Sequence, residues 1–185
     1  MGKSGTGKNT IYKKILEKTD LSKLIPYTTR PIRENEIDKV DYNFVSEKEK
    51  DSLLKEGKVL EIRNYDTVFG IWSYFTVNDD LWKKNNDQII IGTLDTYINL
   101  KRNCTDREII PIYIVVEDGE RLERSLKREQ NEKSPKYKEM CRRFIADEED
   151  FSEDRLEAAK IEYRFINDDL DETVGEIIEF IDRSR

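Results

Sequence analysis

The run Gly2-Lys3-Ser4-Gly5-Thr6-Gly7-Lys8-Asn9-Thr10 has the residue types and spacing of a phosphate-binding loop, G-x-x-x-x-G-K followed by a polar residue. Its glycines let backbone N–H groups curl around phosphate oxygens. Lys8 then reaches the β/γ oxygens of a nucleoside triphosphate, and the helix that follows turns its positive end toward the anion. The implied ligand is MgATP, with Asn9 and Thr10 the candidate residues on the metal side. Position 9 carries an amide where a hydroxyl is usual, and an amide oxygen is also a hard-cation ligand. The bland alternative, a chance glycine-rich turn, does not explain the helical pattern after Lys8. A phosphate loop should follow a buried strand of about five or six residues, yet only Met1 precedes Gly2. The expectation is that the natural protein carries a short apolar segment upstream of Met1. If the chain is complete, low stability, a rearranged sheet or lost activity should follow.

A second constellation is Thr28-Thr29-Arg30-Pro31-Ile32-Arg33, then Glu36, then Asp41-Tyr42-Asn43-Phe44-Val45. Two arginines three residues apart beside a phenol can clamp a phosphate monoester, through bidentate guanidinium forks and a hydroxyl donor. The competing reading is a surface charge pair beside a core tyrosine. No histidine occurs in the chain, which excludes Ser-His and Cys-His nucleophilic catalysis. Cys104 and Cys141 form no C-x-x-C pair, which fits a reducing compartment and argues against a zinc site. With 33 basic and 40 acidic residues spread along the chain, net charge −7, nucleic acid and anionic membrane are poor candidate partners. The longest apolar run, Ile109 to Val116, contains Pro111 and is far short of the ~20 residues that span a bilayer, and no signal peptide opens the chain. A cytoplasmic protein is the expectation.

The elements that must position these groups follow from periodicity. Ile11, Ile15 and Leu16 share one side of a helix over Thr10–Lys18. Strand-like Gln88–Gly92, helical Thr96–Arg102, strand-like Ile109–Val116, helical Glu120–Gln130, strand-like Tyr163–Ile166 and a helix from Leu170 to Asp182 alternate along the chain. Such alternation predicts an α/β fold with a parallel core sheet between helices. Residues 27–76 differ, being rich in Tyr, Phe and Val with one short helix near Ser46–Lys55. They predict an inserted, mostly antiparallel lobe. Residues 127–155 are almost wholly charged, either a pair of solvated helices or a mobile lid.

The second constellation resembles the T-T-R-x-x-R…E…D-Y-x-F-V signature of guanylate kinases, and the likeness runs nearly the full chain. Leu53-Leu54-Lys55-Glu56-Gly57-Lys58-Val59-Leu60-Glu61 is similar to that family's L-x-x-E-G-x-F-x-E. Residues 122–128 are similar to its L-x-x-R-L-x-x-R, residues 143–146 to the lid's R-L-x-x-A, and residues 167–171 to N-D-D-L-D. The resemblance implies a P-loop kinase three-layer sandwich of one domain: core 1–26, 77–126 and 152–185, nucleoside-monophosphate lobe 27–76, lid 127–151. It implies in-line transfer of the γ-phosphoryl group of MgATP to GMP or dGMP. Lys8, Arg30, Arg124, Arg128 and Arg143 would be catalytic. Residues 2–10, Arg128 and Asn167 would hold ATP, with Asn167 at the edge of the adenine pocket. Arg30, Arg33 and Tyr42 would hold the acceptor phosphate, and Glu61 would accept the guanine N1–H and 2-amino protons.

The chain departs from the family where the pattern G-N-x-Y-G-T/S should supply a phenol and a hydroxyl. Asp66-Thr67-Val68-Phe69-Gly70-Ile71-Trp72 stands there. Phe69 and Ile71 cannot donate those bonds; Phe69 and Gly70 keep their place in the acceptor site, and Thr67, Trp72 or Tyr74 are the candidate substitutes. The strand that usually reads I-L-D-x-D keeps a single acid, Asp95, assignable to either the metal or the guanine side. Other readings therefore stay open: another acceptor such as a ribose bisphosphate, or a non-catalytic guanylate-kinase-like module that binds a protein. A monomer or a homodimer fits equally.

Overall fold

The structure is a computed structural model that describes residues 1–34, 36–67, 70–80, 82–83 and 86–185. In chain order its elements are α1 (Lys8–Lys18), β1 (Ser22–Lys23), β2 (Tyr27–Thr28), β3 (Asn43–Phe44), α2 (Glu47–Lys55), β4 (Val59–Thr67), β5 (Gly70–Val77) and β6 (Gln88–Ile89). They continue with α3 (Leu94–Asn103), β7 (Tyr113–Val115), α4 (Asp118–Gln130), α5 (Tyr137–Asp150), α6 (Glu153–Ala158), β8 (Arg164–Ile166) and α7 (Leu170–Arg183). No helix among the described residues is long and apolar enough to cross a membrane.

One compact unit comprises residues 1–19, 91–94 and 110–185. Its α1 buries Ile11 and Ile15, one helical turn apart, and packs on α7, which buries Thr173, Val174 and Ile177. The Asp169 side chain accepts from the N–H groups of Asp171 and Glu172 and so starts α7. β7 and β8 pair in parallel with Tyr113 opposite Arg164, and Phe151 stacks on Tyr113 with ring centroids 5.5 Å apart. Met1 lies beside β7: its amine donates to the Ile112 carbonyl at 2.7 Å, and its carbonyl accepts from Ile114 N–H at 3.0 Å. That is the bond pattern of a parallel ladder, reduced to one residue. Ile109–Val116 shortens to Tyr113–Val115, because Pro111 has no N–H to offer a ladder.

The other unit comprises residues 20–90 and 95–109. Its four-stranded sheet has the order β3-β2-β5-β4, with β2 antiparallel to β5, β4 antiparallel to β5, and β3 parallel to β2. A separate parallel pair joins β1 to β6. Leu24, Trp82, Leu100 and Cys104 form a core with Leu60, Ile90 and Ile109 against it. A full capping box starts α2, with Ser46 accepting from Glu49 N–H and the Glu49 carboxylate accepting from Ser46 N–H. The α/β class stands. Among the described residues the parallel pairings are three short ladders, β1–β6, β2–β3 and β7–β8, each within one unit.

The β4–β5 hairpin contains one irregularity that matters. Val59 pairs with Val77, but Glu61 pairs with Thr76, so Leu60 is an extra residue on β4. In a regular ladder Glu61 would oppose Phe75, whose side chain is fully buried on the other face. The bulge moves Glu61, Arg63 and Tyr65 onto the face shared by Thr76, Tyr74 and Trp72.

Candidate active site

The phosphate loop is built from backbone that only glycine tolerates. Gly7, the N-cap of α1, has φ +83°, and a Cβ there would come within 2.6 Å of the Asn167 amide nitrogen. Gly5 has φ +86°, and its Cβ would meet the Arg121 carbonyl at 2.5 Å. Asn167 is buried behind the loop. Its Nδ2 donates to Thr6 O at 2.9 Å, its backbone N–H donates to Val115 O, and its carbonyl accepts from Arg124 at 3.1 Å. The side chain expected beside adenine is thus engaged in bracing the loop.

Lys8 donates from Nζ to the carbonyls of Gly2 and Lys3, both at 2.6 Å. Burial pulls its pKa from 10.5 down to about 8; Asp147 pulls upward, while Arg128 and Arg121 add to the depression. Asn9 and Thr10 sit in the exposed first turn of α1.

Two carboxylates of α5 close on this loop. Asp147 accepts from Ser4 N–H at 2.6 Å, and Glu148 accepts from the Lys3 ammonium at 2.5 Å. Arg121 ties them together: it is fully buried, pairs with Asp118 at 2.7 Å and with Glu148, lies 3.6 Å from Asp147, and donates to Ser4 O at 3.3 Å. Its guanidinium stacks 3.9 Å from the Phe144 ring centroid. Sequence reasoning chose Arg124 and Arg128 on α4 and missed Arg121. The available signal was Asp118 three residues upstream, a helical i,i+3 ion pair.

Beside the loop, Ser4, Ser125, Arg128, Lys136, Arg143 and Phe144 line one cavity. Ser125 is buried, and its hydroxyl has no hydrogen-bond partner. An orphaned buried hydroxyl among three cations is the donor set that an anionic ligand such as a polyphosphate completes. The carboxylates of Glu129 and Glu139 line the cavity as well, and it brings together Arg128 and Arg143 of the expected lid residues. Arg143 is bonded to Glu139 at 2.9 Å, whose carboxyl is held down to about 2, chiefly by Arg142 and then by Arg143. Arg124 instead pairs with Glu120 and the Asn167 carbonyl.

In the other unit, one face of the four-stranded sheet carries the acceptor candidates. Arg30 is buried, and its Nη1 and Nη2 bind the Glu36 carboxylate at 2.9 and 2.7 Å. Its Nε donates to the Tyr74 hydroxyl at 3.0 Å, and its guanidinium lies 5.5 Å from the Tyr42 ring centroid. Arg33 is exposed, and its backbone N–H also donates to Glu36 at 2.9 Å. Tyr74 packs edge-on against Tyr42 and Tyr65. Because its oxygen accepts from Arg30, its proton is left to donate. Tyr74, one of the candidate substitutes for the missing phenol, is hydrogen-bonded to the clamp arginine. The Tyr42 pKa is raised, first by burial and then by Tyr74, with Arg30 and Arg63 opposing.

Glu61 is buried on the same face, and its carboxylate is fully enclosed. It accepts from Thr76 Oγ1 at 2.8 Å and from Arg63 Nε at 3.0 Å. Asp95 falls in the first turn of α3 and not on a strand. Gly70 opens β5 at φ +102°. Phe69 lies outside the described residues.

A glycine-built loop with a half-buried lysine, a charged cavity beside it and an arginine–phenol face on an α/β scaffold are the features of a P-loop phosphotransferase. The family model for guanylate kinase matches residues 1–184. The guanylate kinase of Wolbachia sp. subsp. Brugia malayi (strain TRS) is 30% identical over 98% of this chain and 89% of its own length. That of Caldanaerobacter subterraneus subsp. tengcongensis is 30% identical over 95% of this chain and 81% of its own. In fold, the crystal structure of guanylate kinase from Anaplasma phagocytophilum superposes with a TM-score of 0.69 at 21% identity, covering 99% of this chain and 83% of that one. This chain belongs to the guanylate kinase family and is an ATP-dependent phosphotransferase.

Proposed function

We propose that the chain transfers the γ-phosphoryl group of MgATP to the 5′-phosphate of GMP or dGMP. The observation that carries this reading is the Arg30–Glu36–Tyr42–Tyr74 cluster, which gathers a guanidinium, its carboxylate partner and two phenols on one face of the sheet. The acceptor oxygen is already anionic, so the reaction needs alignment and charge neutralisation rather than a strong base, and a chain without histidine loses nothing. On ATP binding, Lys8 exchanges the Gly2 and Lys3 carbonyls for phosphate oxygens. Ser4 N–H exchanges the Asp147 carboxylate for another, and Arg128 and Arg143 neutralise the migrating charge from the cavity. Asn9 and Thr10 would hold Mg²⁺, which would supply further neutralisation of phosphate charge. Tyr74 and Tyr42 donate to the acceptor phosphate, while Glu36 keeps Arg30 in place.

The test is ADP formation from MgATP by this chain with GMP, dGMP, AMP, UMP and a ribose bisphosphate offered in parallel. Turnover with GMP and dGMP is the expected result. Turnover with the sugar phosphate alone would move the acceptor, and none with any would remove the enzymatic reading.

A further inference from the structure

A backbone donor of the loop that a phosphate would use is held by a carboxylate of this same chain. Ser4 N–H donates to Asp147 Oδ2 at 2.6 Å, a short, charge-assisted bond between residues of one compact unit. The Asp147 side chain is only 16% exposed, so salt screens the contact weakly. Next along α5, Glu148 accepts from the Lys3 ammonium at 2.5 Å. Two successive residues of α5 thus place carboxylates on two successive residues of the loop. A carboxylate and a phosphate oxygen are both anionic acceptors, and one N–H cannot serve both in full.

Helix α4 supplies what makes such a contact reversible. The side chain of Arg121 is fully buried and touches both α5 carboxylates, yet its bond to Asp118 at 2.7 Å lies within its own helix. Lys3 likewise lies 4.0 Å from Asp118 while it pairs with Glu148. When the α5 carboxylates withdraw, neither cation is left without a counter-ion, and the large penalty of an unpaired buried guanidinium does not arise. Asp118 is the fixed partner, and Asp147 and Glu148 are the exchangeable ones. We infer that Asp147 is an internal competitor of ATP, whose carboxylate keeps the Ser4 N–H until a phosphate oxygen replaces it, and which thereby weakens the affinity of the chain for the nucleotide. The inference rests on the reading of residues 2–10 as the ATP phosphate loop. Its signature is a sign. Removing a residue that supports the loop loosens ATP binding, whereas removing a competitor tightens it, because the apparent Kd is raised by the inverse of the fraction of protein that is free to bind.

The experiment is calorimetric binding of MgATP and of inorganic tripolyphosphate, without acceptor, to the wild type, Asp147→Asn, Asp147→Ala and Glu149→Gln. It is run at about pH 6, where Lys8, with its pKa of about 8, is protonated. Asparagine keeps the shape and drops the charge, and alanine drops both. Glu149 is an exposed neighbour on the same helix, so its variant measures the effect of charge alone. Thermal melting reports on folding, and if Asp147→Ala melts below the assay temperature, Asp147→Asn decides the sign. Kd for both ligands should fall about tenfold in Asp147→Ala, by a smaller factor in Asp147→Asn, and stay within about twofold of wild type in Glu149→Gln. A higher Kd in the folded Asp147 variants would overturn the inference and make Asp147 a support of the loop or of the metal. An equal fall in Glu149→Gln would assign the effect to net charge and overturn it, as would tightening of ATP without tripolyphosphate. Unchanged Kd values in both Asp147 variants would overturn it while leaving the phosphotransferase reading intact. Absence of binding to all four proteins would remove the phosphate-loop reading and the competitor with it, a failure separate from the others.

Discussion

The two candidate phosphate sites are built by different means. The loop unit presents backbone N–H groups, positioned by glycines at φ values that other residues avoid, and its counter-anions come from a distant helix, α5. The sheet unit presents side chains, each arginine already seated on its own glutamate, Arg30 on Glu36 and Arg63 on Glu61. Loss of a single side chain should therefore act on chemistry in the first region and on architecture in the second. Lys8 reaches loop carbonyls from a site where its charge is costly, whereas Arg30 is buried against the carboxylate of Glu36.

The sharpest way to break this contrast is to remove one residue from each region. Lys8→Ala should lower kcat roughly a thousandfold, about 4 kcal/mol of transition-state stabilisation. Its melting temperature at pH 7 should not fall, because the depressed pKa means that the charged amine is held at a cost. Near-normal turnover would show that the loop does not hold the transferred group. Glu36→Gln should do the opposite. Stability to urea should drop by about 2–3 kcal/mol, because a buried guanidinium loses its counter-ion, and KM for the acceptor should rise while ATP binding persists. Equal stability of this variant and the wild type would mean that the sheet face is as tolerant as the loop.

A smaller effect sharpens the loop side. The groups that set the Lys8 pKa are Asp147, which raises it, and Arg128 and Arg121, which lower it after the dominant burial. With the pKa near 8, the folded state bears the cost of the charged amine below pH 8, and the cost fades as pH climbs toward 10.5. Phosphate oxygens favour the protonated form, so ATP binding should draw in close to one proton at about pH 9 and nearly none at about pH 7. Calorimetry in two buffers of different ionisation heat checks this. Equal uptake at both pH values would place the pKa elsewhere.

Local chemistry made much of this molecule legible. Ser46 and Glu49 mark the start of α2, Gly7-Lys8 the start of α1, and the paired apolar positions 11 and 15 the buried face of that helix. What stayed hidden depends on partners far along the chain. On α4 the apolar residues Leu122 and Leu126 suggest an inward stripe, yet both are exposed and the buried positions are Arg121 and Ser125. That helix turns a polar stripe toward the loop, whose glycines and Ser4 carbonyl need polar company. Asp147 reads as one more charge in an acidic run until it is seen on Ser4, 143 residues away. Glu61 was recognisable from the family pattern, but its enclosure by Arg63 follows from a one-residue bulge that periodicity does not announce. Asp95, placed with a strand by likeness, begins a helix instead.

The contact between Ser4 and Asp147 makes one amide a natural reporter. While its hydrogen sits on that carboxylate, Ser4 N–H cannot trade it for deuterium, so exchange there must await a departure of α5 from the loop. A single resolved amide, in protein free of nucleotide and free of any label, thus clocks how often the charged helix leaves its seat.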